Sequence, residues 1–222
     1  MEHGPVLARD APTPAAALPD AELVHRVRSG EAELFELLIR RHNPRVYRAI
    51  RGLLRDEAEV EDAMQQTYLI AHARLDEFAG EAAFSTWLTR IAINEALGRL
   101  RRSGRTEQVG ATGEEDAAGT DESPEARAAA REAMALLHRA IDRLPPAHRV
   151  VFMLRDVEEL STAQAADVLG ISDDLVKVRL HRARHALRRA LAGAAGLGVT
   201  EAFPFLAPRC DRIVAAVMPR IR

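Results

Sequence analysis

Apolar residues recur at three- and four-residue steps wherever the chain has a pattern. The clearest stretch is LSTAQAADVLGISDDLVKVRLHRARHALRRAL, Leu160 to Leu191. Ala165, Ala166, Val168 and Leu169 give a first helix its apolar side, and Ser161 with Gln164 three residues on forms a capping box. Gly170 stops that helix. Ser172 caps a second one, whose first turn carries Asp173 and Asp174, where the positive end of the helix dipole favours acid. Leu175, Val176, Leu180, Ala183 and Leu187 then form a stripe that the spacing predicts to be buried. Two capped helices about a glycine turn make a helix-turn-helix.

The same periodicity organises the rest. Leu23, Val24 and Val27, then Leu34, Phe35, Leu38 and Ile39, predict helices separated by Ser29 and Gly30. Arg45 to Leu54 continues with Val46, Tyr47, Ile50, Leu53 and Leu54 on one side. From Ala58 to Leu75, Val60, Met64, Tyr68, Ala71 and Leu75 line one stripe, while Asp62, Gln65, Gln66 and an exposed Leu69 face elsewhere. That second face suits protein docking, because neutral amides cost less to desolvate than charges; an ordinary mildly polar face is the alternative. Phe78 to Phe84 is a loop around Gly80, and Phe84 to Arg102 is helical, with Trp87 in the core. Met134, Leu137, Ile141 and Leu144 give a further helix, restarted by Ser123-Pro124 and ended by Pro145 and Pro146. Another follows over Ala147 to Asp156. A short amphipathic helix, Asp211 to Ile221, closes the chain, and its apolar face needs a partner.

Strand-like alternation is absent, so the expected fold class is all-α. Residues 1–20, rich in Pro and Ala, form a disordered tail. One small helical domain spans 21–104 and a second, carrying the helix-turn-helix, spans 124–192. Residues 105–123 are a flexible acidic linker with several glycines, and 193–222 are a C-terminal extension.

Charge sharpens this picture. The 222 residues carry a formal net charge of -2, but Gly113 to Glu125 is acidic while Arg99 to Arg105 and Lys177 to Arg189 are basic. Local charge therefore says more about partners than the net value. A helix apolar on one side and cationic on the other, after a tight turn, is what reading a DNA major groove requires. Cys210 is the single cysteine, which leaves no intrachain disulfide and no cysteine zinc site. No apolar run reaches the ~20 residues needed to span a bilayer and no signal pattern opens the chain, so membrane insertion is not expected and a cytoplasmic location is. There is no Ser/His/Asp order, phosphate loop or HExxH. His138, His148, His181 and His185 fall on basic or polar faces and are expected to be solvated, so neither an enzyme nor a metal or cofactor is expected.

Three blocks, EAEVEDAMQQTYLIAHARL (57–75), FAGEAAFSTWLTRIAINEALGRLRR (78–102) and the run from Leu144 to Arg184, resemble the extracytoplasmic-function group of bacterial RNA polymerase sigma factors of the sigma-70 family. The resemblance implies that the first domain is sigma region 2 and the second sigma region 4. It implies that Asp62, Gln65, Gln66 and Leu69 grip the largest-subunit clamp of core RNA polymerase. Phe84, Ser85, Thr86, Arg90, Asn94, Arg99, Arg101 and Arg102 would take the minus-ten element. Ser172, Leu175, Lys177, Val178, Arg179, His181 and Arg182 would take the minus-thirty-five element. The implied partners are core polymerase and promoter DNA, with an anti-sigma factor as a further candidate. Leu175 and Gly98 stand where many relatives carry polar residues. A stand-alone helix-turn-helix regulator is the alternative reading, but it gives the 62–69 face no role.

Overall fold

Residues 17–103, 135–191 and 207–221 are described by the computed structural model, and among them every regular element is a helix. The first four are α1 (Asp20–Arg28), α2 (Phe35–Arg51), α3 (Glu57–Ala73) and α4 (Phe84–Ser103). Asp56 caps α3, its side chain accepting the Glu59 N–H at 2.9 Å, which satisfies one of the donors left open at a helix start. Phe35, Leu38, Ile39 and Ile50 of α2 meet Val60, Met64 and Tyr68 of α3 and Leu88, Ile91 and Ile93 of α4 in a shared core. Leu23, Val24 and Val27 of α1 are buried against it, as their spacing predicts. Phe78, Phe84 and Trp87 cluster at the start of α4, with ring centroids 5.5 to 5.6 Å apart. They anchor a loop whose turn is made by Gly80 at φ 78°.

A second group follows: α5 (residues 135–142), α6 (Pro146–Phe152), α7 (Thr162–Leu169) and α8 (Asp173–Ala190). The helix expected over Ala147 to Asp156 is present, but after Phe152 it widens into a π-helical turn, Met153–Val157. Most of the expected tail, the acidic linker and the restart at Ser123-Pro124 lie outside the described residues.

The two groups pack on each other, which the sequence pattern did not announce. Arg149 of α6 is 1% exposed. It donates to the carbonyls of Gly52 (2.9 Å) and Leu53 (3.0 Å), just beyond the end of α2. Cations belong there because the last carbonyls of a helix are its negative end. Arg51, 2% exposed, makes a two-pronged pair with Asp142 at 2.8 and 2.9 Å. Gly52 permits the approach: a Cβ there would lie 3.1 Å from Met153 Cγ and 3.3 Å from Val150 Cα.

The C-terminal helix α9 (Ala207–Val217) covers α2 and α3. Its apolar face, Ile213, Val214 and Val217 with Met218 beyond, is buried, so the partner it needs is the first helical group. Arg209, 4% exposed, lies 3.0 Å from Glu57 and 4.5 Å over the Tyr47 ring. Arg212 pairs with Glu61, and Arg40 with Asp211 at 2.8 Å. Asn43 donates to the Cys210 sulfur at 3.1 Å.

Candidate nucleic-acid interface

The helix-turn-helix has the local chemistry its sequence specifies. Ser161 N–H donates to Gln164 Oε1 at 2.8 Å and Gln164 N–H donates to Ser161 Oγ at 3.1 Å, a closed capping box. Gly170 takes φ 64°, the left-handed conformation that ends helices cheaply only at glycine. Ser172 Oγ accepts the Leu175 N–H at 3.3 Å to open α8. Of the expected stripe, Val176, Leu180, Ala183 and Leu187 are buried, but Leu175 is 38% exposed and belongs to the outer surface.

That surface places Leu175, Val178 and Arg182 at three- and four-residue steps on one side. Leu175 and Val178 are two of the three large hydrophobic side chains exposed among the described residues. Lys177 and His181 lie exposed toward one flank and Arg179, half-buried, toward the other. Lys177 is 3.0 Å from Asp174, an exposed pair on the first turns. Arg184 is held by Asp156 at 2.6 and 2.8 Å. Burial and the nearby Arg182 and Arg179 lower the pKa of His148, which favours neutral imidazole beside this basic surface. An apolar centre flanked by cations suits thymine methyls between phosphates.

On α4 the expected set divides. Asn94, Arg101 and Arg102 are exposed, and with Ile70 of α3 they line a cleft of about 260 Å³. Arg99 is half-buried and bonded to Glu95 at 2.7 Å. Arg90 is committed to the other group, pairing with the Asp167 side chain of α7 and donating to its carbonyl at 3.0 Å. Ser85 is half-buried and accepts from Arg45 at 3.0 Å. Phe84 and Thr86 are 3% and 6% exposed. Phe84 joins the aromatic cluster and Thr86 the core, so both are buried in the chain by itself, unlike the exposed Asn94, Arg101 and Arg102. Gly98 has room for a side chain, with Arg102 Nη1 at 3.5 Å from a built Cβ.

On α3, Asp62 is exposed while Gln65, Gln66 and Leu69 are half-buried. Leu69 leans on the core, so it is less open than its face position implies. Helix α9 covers the neighbouring side of α3 through Glu57 and Glu61 and leaves Asp62 in solvent. His181 and His185 are exposed as expected, but His138 is half-buried, and desolvation lowers its pKa.

The functional candidates that sequence reasoning missed sit between the groups. Glu158, its side chain 2% exposed, takes Arg45 at 2.8 Å and also pairs with Arg48. Glu159 beside it holds φ 56°, uncommon for a residue with a side chain. In sequence these are arginines at ordinary helical spacing and one acid among many. Nothing local marks them as partners 110 and 113 residues apart.

Among the described residues no three His, Cys, Asp or Glu side chains are grouped to hold a metal ion, and no helix is long and apolar enough to cross a membrane. Residues 38–106 match the family Sigma-70 region 2, and residues 134–187 match Sigma-70, region 4. The RNA polymerase sigma-H factor of Pseudomonas aeruginosa is 34% identical over 180 residues, covering 78% of this chain and 93% of that protein. The ECF RNA polymerase sigma factor SigM of Mycobacterium tuberculosis is 36% identical over 173 residues, covering 78% and 84%. Among solved structures, CnrH in complex with the cytosolic domain of CnrY is 28% identical, covers 80% of this chain and 99% of its own, and superposes with a TM-score of 0.57. The sigma factor RpoE, in complex with the anti-sigma factor NepR from Bartonella quintana, shares the fold at 21% identity and a TM-score of 0.57. With both halves of its helical architecture matched in order, and relatives of this identity aligned along nearly their whole length, the chain belongs to the extracytoplasmic-function sigma factors of the sigma-70 family.

Proposed function

We propose that this chain directs core RNA polymerase to promoters, residues 21–104 binding the polymerase and the minus-ten element and residues 124–192 reading the minus-thirty-five element. The chain acts as a specificity subunit and not as an enzyme. Helix α8 carries the proposal: a capped reading helix whose outward side is Leu175, Val178 and Arg182 between cationic flanks. On α3, Asp62, Gln65, Gln66 and Leu69 are the proposed polymerase contact, which supports this reading over a stand-alone regulator. The cleft beside Asn94, Arg101 and Arg102 is a suitable path for a minus-ten strand. The solved relative CnrH is in complex with the cytosolic domain of CnrY and the RpoE structure contains an anti-sigma factor, which supports a protein partner of the anti-sigma kind for this chain.

Elements about 25 base pairs apart lie roughly 85 Å apart along the duplex at ~3.4 Å per step. Groups locked together by Arg149, Arg51 and Glu158 do not reach across that distance, so polymerase must draw them apart. Run-off transcription with core polymerase on promoter templates tests the proposal. Lys177→Ala with Arg179→Ala should weaken minus-thirty-five-dependent initiation and flatten its salt dependence. Gln65→Ala with Leu69→Ala should weaken polymerase binding instead. Absence of core-dependent initiation overturns the reading, and equal effects of both pairs on both assays overturn the division of roles.

A further inference from the structure

Resting on that reading, we propose that Arg45 and Arg48 of α2, with Ser85 and Arg90 of α4, form a further binding site for the phosphodiester backbone of promoter DNA, held shut in the free chain by Glu158 and Asp167.

The cationic strip and its acidic cover are complementary. Arg45 donates through Nε to a Glu158 carboxylate oxygen at 2.8 Å and through Nη1 to Ser85 Oγ at 3.0 Å. Arg48 takes the other Glu158 oxygen. On α4, Arg90 takes the Asp167 carboxylate and carbonyl together. Three guanidinium groups of one helical group thus face two carboxylates of the other, with the Ser85 hydroxyl bonded to one of the three. A phosphate presents the same charge and acceptor geometry as those carboxylates, and arginine matches both with paired donors. Ser85 and Arg90 belong to the candidate minus-ten set, so the strip continues a surface already assigned to nucleic acid.

The cover is also built to leave. Its carboxylate sits in the turn where α6 widens into a π-helix and Glu159 adopts φ 56°. A non-glycine residue there is strained, and π-turns of this kind often mark functional sites. Arg45 and Arg48 are 32% and 17% exposed and Arg90 46%, so removing the second group uncovers them without unfolding α2 or α4. The surface that DNA needs is therefore occupied by its electrostatic substitute until the groups separate.

The test uses the full chain without polymerase and a fluorescein-labelled single-stranded oligonucleotide as probe, read by anisotropy across a salt series. Glu158→Gln with Asp167→Asn should bind at least about tenfold more tightly than the unchanged chain. Adding Arg45→Gln and Arg48→Gln should cancel the gain and reduce the salt slope by about 1.4, two phosphates at ~0.7 each on a single strand. No gain on neutralising the carboxylates, or a gain that survives loss of both arginines, overturns the site. Should the neutralised variant fail to fold, the slope is read for Arg45→Gln with Arg48→Gln in the polymerase holoenzyme on promoter DNA, and an unchanged slope overturns the site. Run-off initiation on the same preparations separates the two claims: initiation with an unchanged slope removes this site alone, whereas no initiation by the unchanged chain removes the sigma-factor reading beneath it.

Discussion

A few buried residues decide how the two helical groups are joined. Arg149 spans them because its three-sided fork reaches the carbonyls of Gly52, Leu53 and Asp142, at 2.9, 3.0 and 3.1 Å, in a site closed to water. Arg149→Met keeps the aliphatic stem but leaves those carbonyls without this donor, so unfolding stability should fall by about 3 kcal/mol in a denaturant melt. An unchanged midpoint would contradict the role given to Arg149. Two glycines provide an internal comparison. Gly52→Ala presses a methyl against Met153 and the Val150 backbone and should destabilise. Gly98→Ala has ordinary contact distance to Arg102 and should stabilise by up to about 1 kcal/mol, because glycine is a poor helix residue. Similar effects at both positions would mean that the close approach at Gly52 does not hold the groups together.

At the scale of elements, much was legible in the sequence because the signals are local. Ser161, Gln164, Gly170 and Ser172 announce α7 and α8 within a dozen residues, and each adopts the expected geometry. Heptad-like stripes located α2, α3 and α4 because a helix must bury its apolar side whatever it packs against. The joint between the groups was not legible, since Arg51, Asp142, Arg149 and Glu158 lie far apart in sequence and charged residues are usually solvated. The burial of Phe84 was not legible either, because its ring's partners, Phe78 and Trp87, are set by how the loop folds back on α4 and not by helical spacing. For α9 the amphipathic spacing predicted a need for cover but not its location. Deleting residues 192–222 should uncover the α2–α3 side that Ile213, Val214, Val217 and Met218 protect. We expect a net loss of about 2 kcal/mol after the ordering cost of α9, or roughly 4–8 °C in the thermal midpoint for a chain of this size. An unchanged midpoint would show that α9 adds nothing to the fold.

At the scale of the whole molecule, the proposed sites give one set of charges two successive partners. Arg45, Arg48 and Arg90 meet Glu158 and Asp167 in the docked groups, and under the proposal the same arginines take phosphates once the groups part. The exposed side of α8 carries Leu175, Val178 and Arg182 in solvent in the docked arrangement, so the proposed reading helix is formed without DNA. On the proposed account the chain binds DNA weakly until polymerase spreads its two halves, whereas a stand-alone regulator binds its operator unaided. The separation of the halves is therefore the most direct observable. Labels placed at Ala79 and Ala163, both exposed, in a Cys210→Ser background report it by pulsed spin-label distance measurement. The free chain should show one short-distance population, and core polymerase with promoter DNA should lengthen it by tens of ångströms. The same distance in both states would contradict the account.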